Sequence, residues 1–154
     1  MAWRSGLSLL AGLALLTFAD SSPAMHADTG PSTISITDVQ TMDRYLDRGE
    51  PGRGAGDVEI LRQALYNRRV RSTPIGHAEI MCTLLSSTSR TCTATYFLPK
   101  GKIVVGGAID GSRLLYESAV LGGTDLYANA RGLLVVTATA LSPHREILVF
   151  RLTG

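Results

Sequence analysis

From residue 76 to the C-terminus the chain is a series of short apolar runs, each stopped by a turn signal after roughly seven to ten residues. The runs read as strands at about 76–85, 91–98, 102–109, 113–121, 133–141 and 146–152, joined by SSTSR, PKG, DGS, a longer loop and SPHR. Ser, Pro, Gly and Asp supply the backbone conformations that reverse a chain, and each connection is short enough to join antiparallel neighbours. Six such strands, with no convincing long helix between them, predict an all-β sandwich or barrel.

Side chains alternate between the faces of a strand, so position fixes side. In MCTLLSSTSRTCTATY, pairing residues whose numbers sum to 174 centres the turn on Ser87 and sets Cys82 opposite Cys92. Cross-strand neighbours lie about 4.5–5.5 Å apart, within reach of a disulfide. A disulfide is expected, with two buried free thiols as the alternative. Ala78, Ile80, Cys82 and Leu84 then share the buried face with Cys92, Ala94, Tyr96 and Leu98. Around the Asp110-Gly111 turn, Ile103, Val105 and Gly107 share a face with Tyr116, Ser118 and Val120, while Lys102 shares the other with Glu117. Tyr96 and Tyr116 are the clearest polar groups of an otherwise apolar interior. Strand 133–141 is apolar on both faces at its start, which points to cover by a second subunit or another segment.

Upstream the chain differs. Arg4 precedes an uncharged run from Gly6 to Phe18, which is shorter than the roughly 20 residues a membrane helix needs. Residues 1–27 therefore read as a signal peptide, with small residues at Ala19, Ala24 and Ala27 for cleavage, most naturally near Ala24 or Ala27. A retained anchor, or a start at Met25, are the alternatives. Export places the cysteines in an oxidising compartment, gives a secreted, extracellular product, and leaves no membrane attachment after cleavage. Residues 28–56 read as a polar N-terminal segment in which TISITDV, 33–39, alternates like a strand and GEPGRGAG, 49–56, is a flexible link. Residues 57–67, DVEILRQALYN, suit a short helix capped by Asp57 or a strand carrying Arg62 and Tyr66 inward. At 154 residues there is room for one domain, 57–154, and the net charge of +2 with Arg68, Arg69 and Arg71 as the one basic cluster reads as a solvated turn rather than a nucleic-acid site.

The familiar chemical motifs are missing. VLGGTDLYANARG, 120–132, lacks the spacing of a phosphate-binding loop and leads into a Val- and Thr-rich strand instead of a helix. His77 and Glu79 share a strand face, too few for a zinc site, so no metal is expected. No G-x-S-x-G elbow is present. Glu117 reads either as a general acid or base or as the partner of Lys102 in a cross-strand ion pair.

The ordered set GDVEILRQALYN, PIGHAEIMC, CTATYFLPKGKIVVGG, YESAVLGGTDLYANARG and LVFRL resembles the allene oxide cyclase barrel and dirigent-protein superfamily. Glu117, Gly122, Gly123, Thr124, Tyr127, Ala130, Arg131 and Gly132 match its central signature, over a resemblance covering about residues 57–152. Asp125 stands where that signature has a third glycine, at a position expected to need a positive φ that Asp tolerates. The resemblance implies an eight-stranded antiparallel up-and-down barrel, with 33–39 and 57–67 as the remaining strands and a dimer or trimer as the assembly. It also implies a cofactor-free small-molecule cyclase or isomerase, or a non-catalytic dirigent- or lipocalin-like binding protein, acting on an apolar substrate confined in the lumen. Tyr96, Tyr116, Glu117 and Arg131 are the candidate catalytic residues, with Arg62, Tyr66, Ile80, Val105, Ser118 and Tyr127 as the lining. Tyr127 and Arg131 are expected at the barrel mouth, and Gly122, Gly123 and Asp125 as the turn. A ligand role calls for a lumen of about 300 Å³ or more.

Overall fold

The computed structural model describes residues 32–69 and 72–153; the expected signal peptide lies outside them. Eight strands run in chain order: β1 (Thr33–Leu46), β2 (Val58–Asn67), β3 (Pro74–Leu84), β4 (Ser89–Leu98), β5 (Gly101–Asp110), β6 (Leu115–Gly123), β7 (Arg131–Leu141) and β8 (His144–Thr153). Each pairs antiparallel with the next, and β8 pairs back with β1, closing the barrel. Closure leaves no edge strand unpaired. Among the described residues no helix is long and apolar enough to cross a membrane.

The hairpin register of β3 and β4 is the one the cysteines predict, with His77 opposite Phe97 and Cys82 opposite Cys92. Those cysteines form a disulfide. The alternative of a helix at 57–67 is not taken up. Glu59, Gln63 and Leu65 are buried on one face of β2, whereas Arg62 is exposed on the other. The alternation of two overrides the weaker helical spacing because β2 is paired along its whole length on both sides.

β1 is longer than the strand expected at 33–39, so the segment before residue 57 belongs to the barrel wall. A bulge between Gln40 and Met42 reverses its alternation, as an inserted residue must. Asp43 consequently reaches the lumen while Met42 is exposed. The stretch 49–56, read as a flexible link, is a β1–β2 connection tied to Asp57. The buried Asp57 carboxylate accepts from the Arg48 N–H at 2.7 Å, the Gly54 N–H at 2.6 Å and the Tyr45 hydroxyl. These bonds hold its pKa below the usual carboxylate value, the Tyr45 hydrogen bond most of all.

In an up-and-down barrel the starts of the odd strands and the ends of the even ones lie at one end. That end is closed. Leu65, Ile103, Leu148 and Phe150 are fully buried, Tyr96 meets Phe150 edge-to-face at 5.1 Å, and Tyr127 and Ala130 join the same cluster from the β6–β7 connection. The other end, where β2, β4, β6 and β8 begin, opens on a cavity.

Candidate functional site

The cavity has a volume of about 200 Å³. Its apolar wall comes from inward positions of the alternating strands, namely Leu61, Ile80, Ala94, Val105, Leu134 and Val136, with the Cys82–Cys92 disulfide beside them. Its polar wall is richer than the sequence reading foresaw. Glu146, at the third position of β8, is the hub. The Gln63 side-chain N–H donates to its Oε2 at 3.2 Å, the Tyr116 hydroxyl to Oε1 at 3.3 Å, and His144 Nε2 lies 3.0 Å from Oε1. The Glu146 main-chain N–H donates to Asp38 Oδ1 at 2.9 Å.

Burial sets the protonation of this group. Asp38 is pushed up to about 8, first by burial and then by the charge of Glu146, so it keeps its proton at neutral pH. Its Oδ2 has no hydrogen-bond partner among the described residues. Burial, with the negative charge of Glu146 added, pushes the Tyr116 hydroxyl far above its ordinary value. Tyr96, at the cavity floor, is raised by burial and by Tyr116. Both tyrosines are therefore hydrogen-bond donors. The hydrogen bond to Glu146 raises His144 and favours its imidazolium form.

Nearer the rim Glu59, with a side chain only 7% exposed, is flanked by two guanidinium groups. Arg53 Nη2 lies 2.5 Å from its Oε1 and Arg90 Nη1 donates to its Oε2. Among the described residues no group of three His, Cys, Asp or Glu side chains is placed to hold a metal ion.

Tyr96, Tyr116, Ile80, Val105 and Ser118 all line this cavity. The other proposed residues lie elsewhere. Glu117 is exposed on the outer face of β6, because it is out of step with Tyr116 and Ser118. Nor does it meet Lys102, since Val105 pairs with Val120 and carries Lys102 past the end of β6, where its Nζ sits 5.0 Å from the centre of the Phe97 ring. Arg62 and Tyr66 fall on the outer face of β2, in the opposite phase to Leu61, Gln63 and Leu65; Arg62 Nη2 is 3.8 Å from Glu79. His77 is also outside, stacked on Phe97 at 4.4 Å.

The Gly-rich connection is at the closed end, not the mouth. Tyr127, in a single 3₁₀ turn Asp125–Tyr127, plugs the core and is 7% exposed. Arg131 is exposed and donates from Nη1 to the Ala130 carbonyl at 2.8 Å, a brace within its own loop. Asp125 has φ 54°, the left-handed conformation its glycine-replacing position implies. Gly122 accommodates the Arg131 side chain, whereas a Cβ at Gly123 would lie 2.4 Å from the Lys102 carbonyl oxygen and 2.5 Å from that of Tyr127.

Asp38, Glu59, Gln63, Arg90, His144 and Glu146 escaped the sequence reading. Most of them had a signal. Asp38 continues the phase of Ile34 and Ile36, Glu59 and Gln63 that of Leu61 and Leu65, and Glu146 that of Leu148 and Phe150. An ionisable residue in the buried phase of an apolar alternation marks a site that must be paired or functional.

No protein-family model matches the chain, nor does any curated protein. Solved structures do. A pyocyanin demethylase matches 79% of this chain and 99% of its own, with a TM-score of 0.67 and 26% identity. The Diels–Alderase AbmU from Streptomyces koyangensis matches over 79% of this chain and 69% of its own, at TM-score 0.63 and 19% identity. A pterocarpan synthase dirigent protein matches over 79% and 96%, at TM-score 0.58 and 18% identity. This chain has the allene oxide cyclase and dirigent-like barrel fold. In this chain the lumen holds a buried acid network.

Proposed function

We propose that this barrel is an exported cyclase- or isomerase-type catalyst that moves a proton on a small planar conjugated molecule held in its lumen. The observation that carries the proposal is the convergence of Tyr116, Gln63 and His144 on one buried carboxylate, Glu146, beside protonated Asp38. Three hydrogen bonds and a neighbouring acid hold the Glu146 carboxylate in one orientation at the cavity wall, which is the geometry a general base needs. Glu146 takes a proton from the substrate, and the electron pair left behind spreads over the conjugated system. His144, 3.0 Å from the same carboxylate, returns a proton at a second position and regains it from Glu146, while Tyr116 keeps its proton and donates a hydrogen bond. Bonding electrons shift within the substrate and the net reaction is redox-neutral. The disulfide supports the exported setting.

Size narrows the substrate. The cavity of about 200 Å³ does not reach the roughly 300 Å³ that a ligand role calls for, which counts against both ligand roles for large polyketide-like or drug-sized molecules and leaves only a smaller ligand. A cavity of about 150 Å³ takes up benzene, so a molecule of roughly one or two fused rings fits within, and a longer one projects through the mouth. The likeness to a structure named for pyocyanin makes fused-ring aromatics the first substrates to try. The test is to mix pyocyanin with the wild-type protein and with Glu146→Gln, following binding by calorimetry and turnover by absorbance. Binding by both with turnover only by the wild type is expected. Binding without turnover by the wild type would favour the carrier or dirigent role, and no binding would remove pyocyanin-like molecules as ligands.

A further inference from the structure

Arg131, the candidate for gripping a ligand oxygen, turns away from the lumen. Another arginine is placed for it. Arg90 begins β4 beside the mouth, opposite Leu84 on β3 and Ile109 on β5, and lines the cavity with its side chain 22% exposed. A guanidinium carries five N–H donors in a rigid fork. Among the described residues Arg90 spends them on one acceptor, Glu59 Oε2; its Nε is enclosed by protein without a partner, so the donors left for a ligand are those of the Nη groups.

Glu59 does not need the whole of that charge. Arg53 already bonds its other oxygen, so one carboxylate is shared by two guanidinium groups, and Asp43 is the other acid at this end of the cavity. Arg90 is also near enough to Tyr116 and His144 to lower both pKa values against the stronger effects that raise them. The Arg90 guanidinium therefore faces the wall that carries the proton chemistry, with Nη N–H groups unspent.

We propose that Arg90 is the oxygen-binding, specificity-determining residue of the lumen, and that the ligands selected are small aromatic molecules bearing an anionic oxygen. The inference rests on the lumen being a ligand site. Glu59 and Arg53 fix the guanidinium, and its unspent donors engage the ligand's oxygen while the ring lies against Ile80, Ala94, Val105 and Leu134. Charge that builds on a conjugated oxygen as Glu146 removes a proton would meet the same guanidinium, where a preorganised donor is most effective.

The test compares naphthalene with 2-naphthoate as ligands, by calorimetry at neutral pH. Wild-type protein is expected to bind naphthoate roughly 10- to 100-fold more tightly, the range of a charge-assisted hydrogen bond. Arg90→Leu is expected to abolish the preference. Because that variant strips Glu59 of a partner, the double variant Glu59→Gln with Arg90→Gln, which removes both charges together, is measured beside it and is expected to show the same loss. Equal binding of the two ligands by the wild type, or a preference that survives in both variants, overturns the role of Arg90 while leaving the lumen a ligand site. Failure of both ligands to bind the wild type overturns this inference and the ligand role together.

Discussion

The main-chain N–H of Glu146 donates to Asp38 Oδ1 across 2.9 Å, fixing two carboxyl groups side by side in the wall where β1 meets β8. Two buried acids so close do not both ionise at neutral pH, and Asp38 is the one that keeps its proton. Folded Asp38 holds that proton up to about pH 8, whereas in the unfolded chain it is lost near 3.8. Between those values the native state binds more protons than the unfolded one, so this contribution to stability is full below about pH 4 and is lost as pH rises to about 8. Asp38→Asn has no proton to lose. Urea titrations from pH 4 to 9 should show the variant gaining on the wild type by up to about 1.4 kcal/mol per pH unit, levelling off above pH 8. A difference that does not change with pH would refute the shared-proton arrangement.

The same pair sets the pH range of the chemistry. Above about pH 8 Asp38 ionises and the wall carries a second negative charge beside Glu146. The pH profile of kcat/KM for a turned-over substrate should therefore fall on the basic side with an apparent pKa near 8 that belongs to the pair. Asp38→Asn should remove that limb.

Replacing Glu146 by Gln keeps the shape and one of the two accepting oxygens but cannot take a proton. A loss of roughly 10²- to 10⁴-fold in kcat is expected, with ligand affinity changed much less. Glu117→Gln is the control. Its side chain lies outside the barrel, so rate and affinity should match the wild type. Single-turnover kinetics on both variants separate the two carboxylates, and a rate loss in Glu117→Gln would contradict the strand phase of β6.

How far the sequence could be read depends on what each residue answers to. The register of Cys82 against Cys92, and with it the inward set Ala78, Ile80, Ala94 and Tyr96, follows from a tight turn and strict alternation. The luminal places of Tyr116 and Ser118 follow from alternation alone. The bulge that swaps Met42 for Asp43 leaves no mark in composition. Arg62 and Tyr66 face outward because Leu61 and Leu65 set the inward phase of β2 and the even-numbered positions take the other face. Tyr127 and Arg131, expected at the mouth, lie at the closed end of the barrel. A local motif identifies a connection, but which end of a closed barrel stays open depends on how all eight strands fill it. Here Tyr96 and Phe150 fill the half below the β6–β7 connection, and charged side chains occupy the other.

Adjacent glycines in that connection should respond differently to one methyl group. A Cβ at Gly122 meets only the tip of Arg131 at 3.5 Å, which is ordinary contact, so Gly122→Ala should change stability by less than about 0.5 kcal/mol. At Gly123 the same carbon would press on two carbonyl oxygens and on Tyr127 Cβ at 2.8 Å, all parts of rigid backbone or core. Gly123→Ala should cost about 1–3 kcal/mol through overpacking. Thermal and urea unfolding of the two variants provides the comparison, and equal effects would mean that Tyr127 is not held as a plug.

Asp125 presents opposing terms. Its φ of 54° costs an L-residue about 1–2 kcal/mol, which Gly would relieve. Glycine in turn widens the unfolded ensemble by about 0.5–1 kcal/mol, and the change removes the bond from the Thr124 hydroxyl to Asp125 Oδ2 at 2.9 Å. The terms nearly cancel, so Asp125→Gly should shift stability by no more than about 1 kcal/mol in either direction. Its effect on ligand binding should be nil, because Asp125 is on the exposed side of the closed end with the Tyr96, Tyr127 and Phe150 cluster between it and the cavity. Calorimetry with 2-naphthoate on the variant checks this. A loss of affinity would mean that the two ends of the barrel communicate through that packed core, and would make the β6–β7 connection part of the site after all.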